Sequence, residues 1–600
     1  MARKKTKLEL TWIGKDKRPR LEPRILLEDH DISYAADRRV TEEDLFDNML
    51  IHGDNLLALK ALEQDFAGRI KCVYIDPPFN TGQAFEHYDD GVEHSVWLSL
   101  MRDRLLLLHS LLRPDGTIVV HIDDEELAYL IILLDEIFGR RNRCSIITFK
   151  QSSVSGPKSI NPGLVTISNF VVVYAKDKAS WSPNRVYVPV SRDSRYNSYI
   201  TNYEMPFAQW EFSTLRAAFA SRHGIEVRAL KKAFGKKLDD ELEAFVLDDP
   251  RRVIRLARVQ PKDVNAQARE SLVASIEQPH RVFRSERADK ADYYFKAGQQ
   301  LLFYSTKAHR LDGRWVTGQA ASTIWGDLLS NNLHNEGGVR FPKGKKPEGL
   351  IKRILELTTD PGDWVLDSFA GSGTTGAVAH KMKRRWIMVE LGEHCLSHVR
   401  PRLESVVAGT DGSGITKALD WKGGGGFRFY NLAPSLLEED KWGNWVINRA
   451  YNKEMLAEAM CKLEGFRYAP SDTLFWMHGQ STETDYIYVT TQTLTHEQLQ
   501  VISSEVGTSR TLLICCSAFR ADTDQFANLT ITKIPAAVLS RCEWGKDDYS
   551  LNVETVMGKE LEPKPDDGPP EDGKPKRRRG KTPKVQDLLP LFAAAEGGEA

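Results

Sequence analysis

The chain has 600 residues, 41% of them hydrophobic and 28% charged, with a formal net charge of −1. That length suits several domains rather than one core, and the balanced charge gives no sign of a polyanionic partner. No apolar run approaches the roughly 20 residues of a bilayer span, and the basic start MARKKTKLELTW lacks a signal's apolar stretch, so a cytoplasmic protein without membrane contact is expected. The cysteines (Cys72, Cys144, Cys395, Cys461, Cys515, Cys516 and Cys542) form no CxxC pair, so no metal site or disulfide framework is expected.

In chain order, residues 1–45 read as a basic arm, with Lys4, Lys5, Lys7, Lys15, Lys17, Arg18 and Arg20 around Trp12. Residues 46–184 alternate strands and helices. KCVYID (71–76) reads as a strand ending in DPPFNTG, GTIVVHID (116–123) as a buried strand, Glu125 to Phe138 as an amphipathic helix, and NFVVVYAKD (169–177) as a further strand. Such alternation predicts a mostly parallel sheet covered on both faces. Residues 185–325 mix basic and aromatic residues without clean alternation. The α/β pattern returns over 326–421, where EGLIKRILELTT is a helix, DWVLDSF (363–369) and RWIMVEL (385–391) are strands, and AGSGTTGAVAHKM turns into a helix. Glycines at 422–427 suggest a linker. Residues 428–560 read as a smaller α/β domain with strands DYIYVTTQ and RTLLICCS, and 561–600 as a disordered tail carrying KPKRRRGK and a candidate docking segment, QDLLPLF.

Two constellations carry chemistry. In VLDSFAGSGTT (365–375) a buried strand ends at Asp367 and a glycine-rich turn opens a helix; Glu390 then ends the next strand, where a carboxylate can hold ribose hydroxyls. Alone, a GSG turn could be any loop that needs glycine. Here the strand, turn, helix, strand and acid occur together. No Lys-Ser/Thr pair follows the last glycine, so this is not a phosphate-binding loop, and a methionine-bearing nucleoside fits better.

The second is DPPF, Asp76 to Phe79, at the carboxyl end of its strand. An aromatic amine is a poor nucleophile because its lone pair is delocalised into the ring. Acceptors for both of its hydrogens, the Asp76 carboxylate and the Pro77 carbonyl, favour the pyramidal form. Neither Pro77 nor Pro78 brings a competing N–H. Phe79 offers a flat face for a base drawn from the duplex. No Pro-Cys pair, a usual setting for a nucleophilic thiolate, occurs.

DPPF and FAGSG resemble the catalytic and cofactor motifs of amino-methyltransferases acting on DNA. Their order, catalytic before cofactor with a long insert between, resembles the permuted β class, whose insert is the target-recognition domain. HGDNLLAL, YIDPPFNTG, MRDRL, HIDDEE, KKPEGLIKRIL, DWVLDSFAGSGTT and WKGGGGFRFY are similar to the modification subunits of type III restriction systems and their phage-defence relatives, over about 45–185 and 325–435. The resemblance implies a Rossmann-like α/β sheet, S-adenosylmethionine as cofactor, and site-specific methylation of the N6 amine of adenine in double-stranded DNA by base flipping. It implies that Asp76, Pro77, Pro78 and Phe79 carry catalysis. Asp367, Phe369, Gly371, Gly373, Thr374 and Glu390 would bind the cofactor, with Asp54 at its adenine and Lys346 near its methionine end. Phe79 departs from the Tyr of many relatives. Asp at the first position is associated with adenine, whereas cytosine-amine enzymes usually carry Ser.

The resemblance also implies a homodimer in which one subunit reads DNA while the other flips the base. The sequence holds no Walker A motif and no nuclease constellation, so cleavage would need a restriction or helicase partner subunit. Within the insert, Lys231, Lys232, Lys236 and Lys237, and Arg251, Arg252, Arg255 and Arg258, could neutralise phosphates, or could form a solvated face. The alternatives are methylation of N4 of cytosine, of an RNA amine or of a protein glutamine, or a non-catalytic DNA-binding subunit that keeps the fold.

Overall fold

The structure, a computed structural model, describes residues 9–79, 94–154, 163–288, 290–328, 333–341, 344–534, 538–539 and 541–550. Its centre is a ten-stranded sheet. The strands are β1 (Leu26–Ala35), β2 (Asn48–His52), β3 (Ile70–Ile75), β4 (Leu112–Ile122), β5 (Arg143–Lys150), β6 (Ser168–Ala175), β7 (Ile324–Trp325), β8 (Trp364–Asp367), β9 (Arg385–Glu390) and β10 (Gly426–Leu432). They lie in the order β1-β10-β2-β9-β8-β3-β4-β6-β5-β7. The run from β10 to β4 is parallel throughout, while β6 and β1 pair antiparallel at its two ends.

Side chains alternate between two helical layers. Val73 and Ile75 of β3 pack with α1 (Asn55–Phe66), α2 (His94–Leu111) and α3 (Asp124–Leu134). Cys72 and Tyr74 face the opposite layer of α4 (Glu348–Thr358), α5 (Thr374–Lys381) and α6 (Arg400–Val407). Both faces are covered, which is why these strands are almost continuously apolar in sequence. Lys71, the polar exception in β3, reaches the Asp115 carboxylate at 2.8 Å.

Two segments read as arm and linker are strands of this sheet instead. Residues 26–35 form β1, an edge strand whose acidic residues obscure the alternation. Residues 426–432 form β10, inserted between β1 and β2, so the end of the expected linker and the first residues assigned to the smaller domain belong to the central sheet. Part of the basic arm also packs: the Trp12 indole donates to Ser99 Oγ at 2.8 Å on α2, and Lys15 pairs with Glu136 at 3.0 Å.

The insert is an antiparallel structure with its own core. Six strands align in the order 283–285, 293–296, 299–303, 253–258, 198–200, 212–214, and a three-stranded sheet joins 308–311, 314–320 and 187–189. Leu215, Phe219, Leu242, Val246 and Tyr304 are buried beneath its helices. After β10, a five-stranded sheet contains the expected strands at Asp485–Val489 and Thr511–Cys516. The tail and its QDLLPLF segment lie outside the described residues, as do the basic residues Lys4, Lys5 and Lys7. Among the described residues, no helix is long and apolar enough to cross a membrane.

Candidate active site

β3 and β8 lie side by side in parallel at the centre of the sheet, with Val365 opposite Cys72 and Leu366 opposite Val73. From β8 the chain passes through α5 to β9; from β3 it passes through α2 to β4, on the other side. The connections diverge here, which makes the carboxyl ends of the two strands the topological switch point where ligands of such sheets bind. DPPF leaves β3 and the glycine turn leaves β8, so the two sequence constellations meet at this switch point.

On the β3 side, Asp76 Oδ2 is bonded by the Lys346 ammonium, while Asp76 Oδ1 is buried without a hydrogen-bond partner among the described residues. Burial pushes the Asp76 carboxyl above its ordinary value, and Lys346 opposes the shift. The Trp97 indole, fully buried on α2, donates to the Pro78 carbonyl at 2.7 Å and fixes the second proline. Among the described residues, no hydrogen bond reaches the Pro77 carbonyl. The Phe79 ring stacks on His121, with centroids 5.9 Å apart and planes 18° apart. Tyr74 and Asn169 bracket the two ring nitrogens of His121 at 3.4 and 3.3 Å. Burial, with Lys346 nearby, holds His121 well below the ordinary histidine value, so the ring under Phe79 is neutral.

On the β8 side, Asp367 accepts from the Phe369 N–H at 2.9 Å and the Thr375 hydroxyl at 2.5 Å. Burial lifts its carboxyl to about 7, and the Asp76 and Glu390 carboxylates add to the shift. Gly371 and Gly373 both have positive φ, 53° and 75°. A Cβ on Gly373 would stand 2.8 Å from Val399 Cγ1, so the turn requires glycine there for both conformation and space. Glu390 ends β9 and takes the Gly371 N–H at 2.7 Å, which ties the turn to the neighbouring strand. Burial opposes the charge of Glu390, but His394 at 3.1 Å and the N–H groups of Gly392 and Gly371 outweigh it and hold the carboxyl below its ordinary value. Among the described residues, the Ser368 hydroxyl, like Asp76 Oδ1, is buried without a partner.

Asp54 follows β2 and caps α1, accepting the N–H of Leu56 at 2.9 Å and Leu57 at 3.0 Å; its other oxygen takes the Tyr549 N–H at 2.9 Å. Its carboxylate is thus fully engaged within the fold. Lys346 sits beside Asp76, and its carbonyl receives the Thr374 hydroxyl at 3.4 Å.

Sequence reasoning missed a buried ionic cluster beneath the turn. Arg402, fully buried on α6, donates to the Ser372 carbonyl at 3.1 Å, to Thr374 Oγ1 at 2.8 Å and to Glu348 Oε1 at 2.8 Å. Glu348 Oε2 pairs with Lys381 at 2.8 Å, which also meets Asp411 at 2.6 Å. These residues come from three helices and a loop, and no short motif joins them. Glu348 lies in KKPEGLIKRIL and Lys381 in AGSGTTGAVAHKM, whereas Arg402 and Asp411 fall in no segment that the sequence singles out.

In the insert, the predicted basic clusters divide. Arg251 and Arg252 are bonded to Asp249 at 2.9 and 3.2 Å, and Arg255 lies over the Tyr196 ring at 5.3 Å. Lys231, Lys232, Lys236 and Lys237 are exposed.

Residues 70–400, more than half of the chain, match the DNA methylase family of N6/N4 methyltransferases. The chain belongs to that family. Relatives of this family member include the probable type III restriction-modification enzyme HindVI Mod subunit of Haemophilus influenzae, 34% identical over 65% of this chain and 54% of its own length. The EcoPI Mod subunit of Escherichia phage P1 is 25% identical, over 63% of this chain and 61% of its own. The match thus spans little more than half of these relatives. Among solved structures, the M1.HpyAVI–SAM complex aligns over 59% of this chain and 98% of its own, with a TM-score of 0.28 and 13% identity.

Proposed function

We propose that this DNA methylase transfers a methyl group from S-adenosylmethionine to the N6 amine of adenine in double-stranded DNA, as the modification subunit of a restriction-modification or phage-defence system. The observation that carries the reading is the half-free Asp76 carboxylate at the central switch point, one strand from a glycine turn with no phosphate-binding lysine motif. The residues suit the cofactor. The turn's glycines admit a ligand close to the backbone, Glu390 offers a held carboxylate for ribose hydroxyls, and the Ser368 hydroxyl, buried without a partner among the described residues, awaits one. The cofactor would supply a methyl on a sulfonium whose positive charge falls as the methyl leaves.

The chain's own residues do the rest. Asp76 Oδ1 and the Pro77 carbonyl accept the two amine hydrogens and localise the nitrogen lone pair. Phe79, braced by neutral His121, stacks on the extruded base. The aspartate at the first position favours adenine over cytosine. The exposed lysines of the insert are the candidate phosphate contacts. A homodimer and a restriction or helicase partner are proposed from the Mod-subunit likeness alone.

The test is transfer of labelled methyl to unmethylated phage DNA and to RNA, with product nucleosides separated. N6-methyladenine from DNA alone supports the reading; N4-methylcytosine overturns the base assignment, and label in RNA overturns the substrate.

A further inference from the structure

Residues 543–549 follow the five-stranded sheet and return to the methylase part of the chain. They form no helix or strand, so their seat depends on individual contacts. Arg24, buried in the N-terminal arm, takes the Asp547 carboxylate at 2.6 Å and the Lys546 carbonyl at 3.1 Å. The Gly545 N–H bonds Ser435 Oγ at 2.9 Å, just beyond β10. Tyr549 then reaches α1 and α2. Its N–H donates to Asp54 Oδ2 at 2.9 Å, and its carbonyl accepts from Arg104 at 3.2 Å.

Arg104 is 2% exposed on α2, with Asp54 at 3.6 Å, and its Nε donates to Asn55 Oδ1. A guanidinium can only donate, so this contact fixes which end of the Asn55 amide faces it. The amide nitrogen is thereby turned to the Ser368 carbonyl, to which it donates at 2.7 Å. Ser368 stands between Asp367 and the glycine turn, and its own hydroxyl is buried without a partner among the described residues. A hydrogen-bonded path therefore runs from Tyr549 through Arg104 and Asn55 to the strand end that opens the turn.

We propose that Arg104 is a positioning residue that joins residues 543–549 to the glycine turn, so that seating of this segment and binding of the methyl donor favour each other. Arg104 acts through Asn55 and the Ser368 backbone and needs no contact with the donor. The C-terminal segment is then part of the scaffold of the donor site. The inference rests on the reading of the turn as an S-adenosylmethionine site.

Coupling of this kind is reciprocal, so it is read from both ends. Hydrogen exchange of the unaltered full chain, with and without saturating S-adenosylhomocysteine, reads the first. The backbone amides of residues 545–549 should exchange several-fold more slowly with the ligand. Calorimetric titration reads the second. Asp547→Ala loosens the segment at an ion pair whose carboxylate is 66% exposed. It should weaken S-adenosylhomocysteine roughly fivefold, the worth of one hydrogen bond. Asn55→Leu cuts the path. In that background Asp547→Ala should cost less than about twofold, and saturating ligand should no longer slow exchange at 545–549. A segment that merely stabilises the fold would give the same loss in both backgrounds. The coupling is refuted if the ligand leaves exchange at 545–549 unchanged in the unaltered chain. It is equally refuted if Asp547→Ala binds like the parent, or loses the same affinity with and without Asn55. If the unaltered chain binds no S-adenosylhomocysteine, the cofactor reading itself fails and the coupling falls with it.

Discussion

Arg402→Met removes a fully buried cation with three acceptors: Glu348 and Thr374, each at 2.8 Å, and the Ser372 carbonyl at 3.1 Å. Glu348 would keep Lys381 and the Ile415 N–H, but the cluster would carry an uncompensated negative charge. Breaking a buried pair from one side costs about 3–5 kcal/mol. At roughly 2–4 °C per kcal/mol for a domain of this size, the melting transition of the methylase part should fall by on the order of 10 °C in scanning calorimetry. The second variant separates stability from positioning. In Arg402→Met/Glu348→Gln the charges balance again, because Lys381 keeps Asp411 at 2.6 Å and the glutamine can still accept from Ile415. At least half of the lost melting temperature should return. In both variants the glycine turn keeps its tie to Glu390 but lacks the two Arg402 bonds to Ser372 and Thr374, so S-adenosylhomocysteine affinity should remain about tenfold down in both. The reasoning fails if the single variant melts and binds like the parent, or if the double variant is less stable than the single.

Three further outcomes follow from the site. Because burial lifts the Asp367 carboxyl to about 7 from an ordinary 3.8, the folded chain retains a proton that the unfolded chain releases. That contribution is fully present below about pH 4 and lost as pH rises through about 7. Asp367→Asn should therefore raise the melting temperature at pH 8 relative to the parent and flatten the series between; a steeper series would contradict it. Trp97→Phe deletes the 2.7 Å bond to the Pro78 carbonyl, worth about 1 kcal/mol. The expected result is a several-fold lower kcat with unchanged cofactor affinity, and an equal loss of both would show that Trp97 acts on the whole fold. Gly373→Ala puts an alanine at a φ of 75° against Val399. At about 1–2 kcal/mol for the conformation alone, S-adenosylhomocysteine binding should weaken by roughly tenfold in calorimetry, and unchanged binding would mean that the turn does not line the cofactor site.

The methylase halves were legible because their strands are buried on both faces. Ile70–Ile75 and Arg385–Glu390 read as apolar runs, and both motifs sit at strand ends that the fold brings together. The edges were not legible. β1 carries Glu28, Asp29 and Asp31 on a half-exposed strand, and β10 begins inside a glycine run that reads as a linker. In the insert, Asp312-Gly313 is a strong hairpin signal that the sequence reading passed over; both residues have positive φ, 48° and 76°, and they join 308–311 to 314–320. The Arg402 cluster had no motif of its own, since partners 54 residues apart meet only after three helices have packed on the sheet. Asp54 and Lys346 were located by resemblance. The structure then adds what no motif carried: Asp54 caps α1, and Lys346 grips Asp76.

The central claim is that Asp76 is the acceptor that activates the target amine. Its most direct test is labelled-methyl transfer to unmethylated duplex DNA by the parent and by Asp76→Ala, with S-adenosylhomocysteine affinity measured on the same preparations. The account predicts N6-methyladenine from the parent, and from Asp76→Ala no label at all together with cofactor affinity that is retained or improved. Substantial N6-methyladenine from a folded Asp76→Ala chain would contradict it.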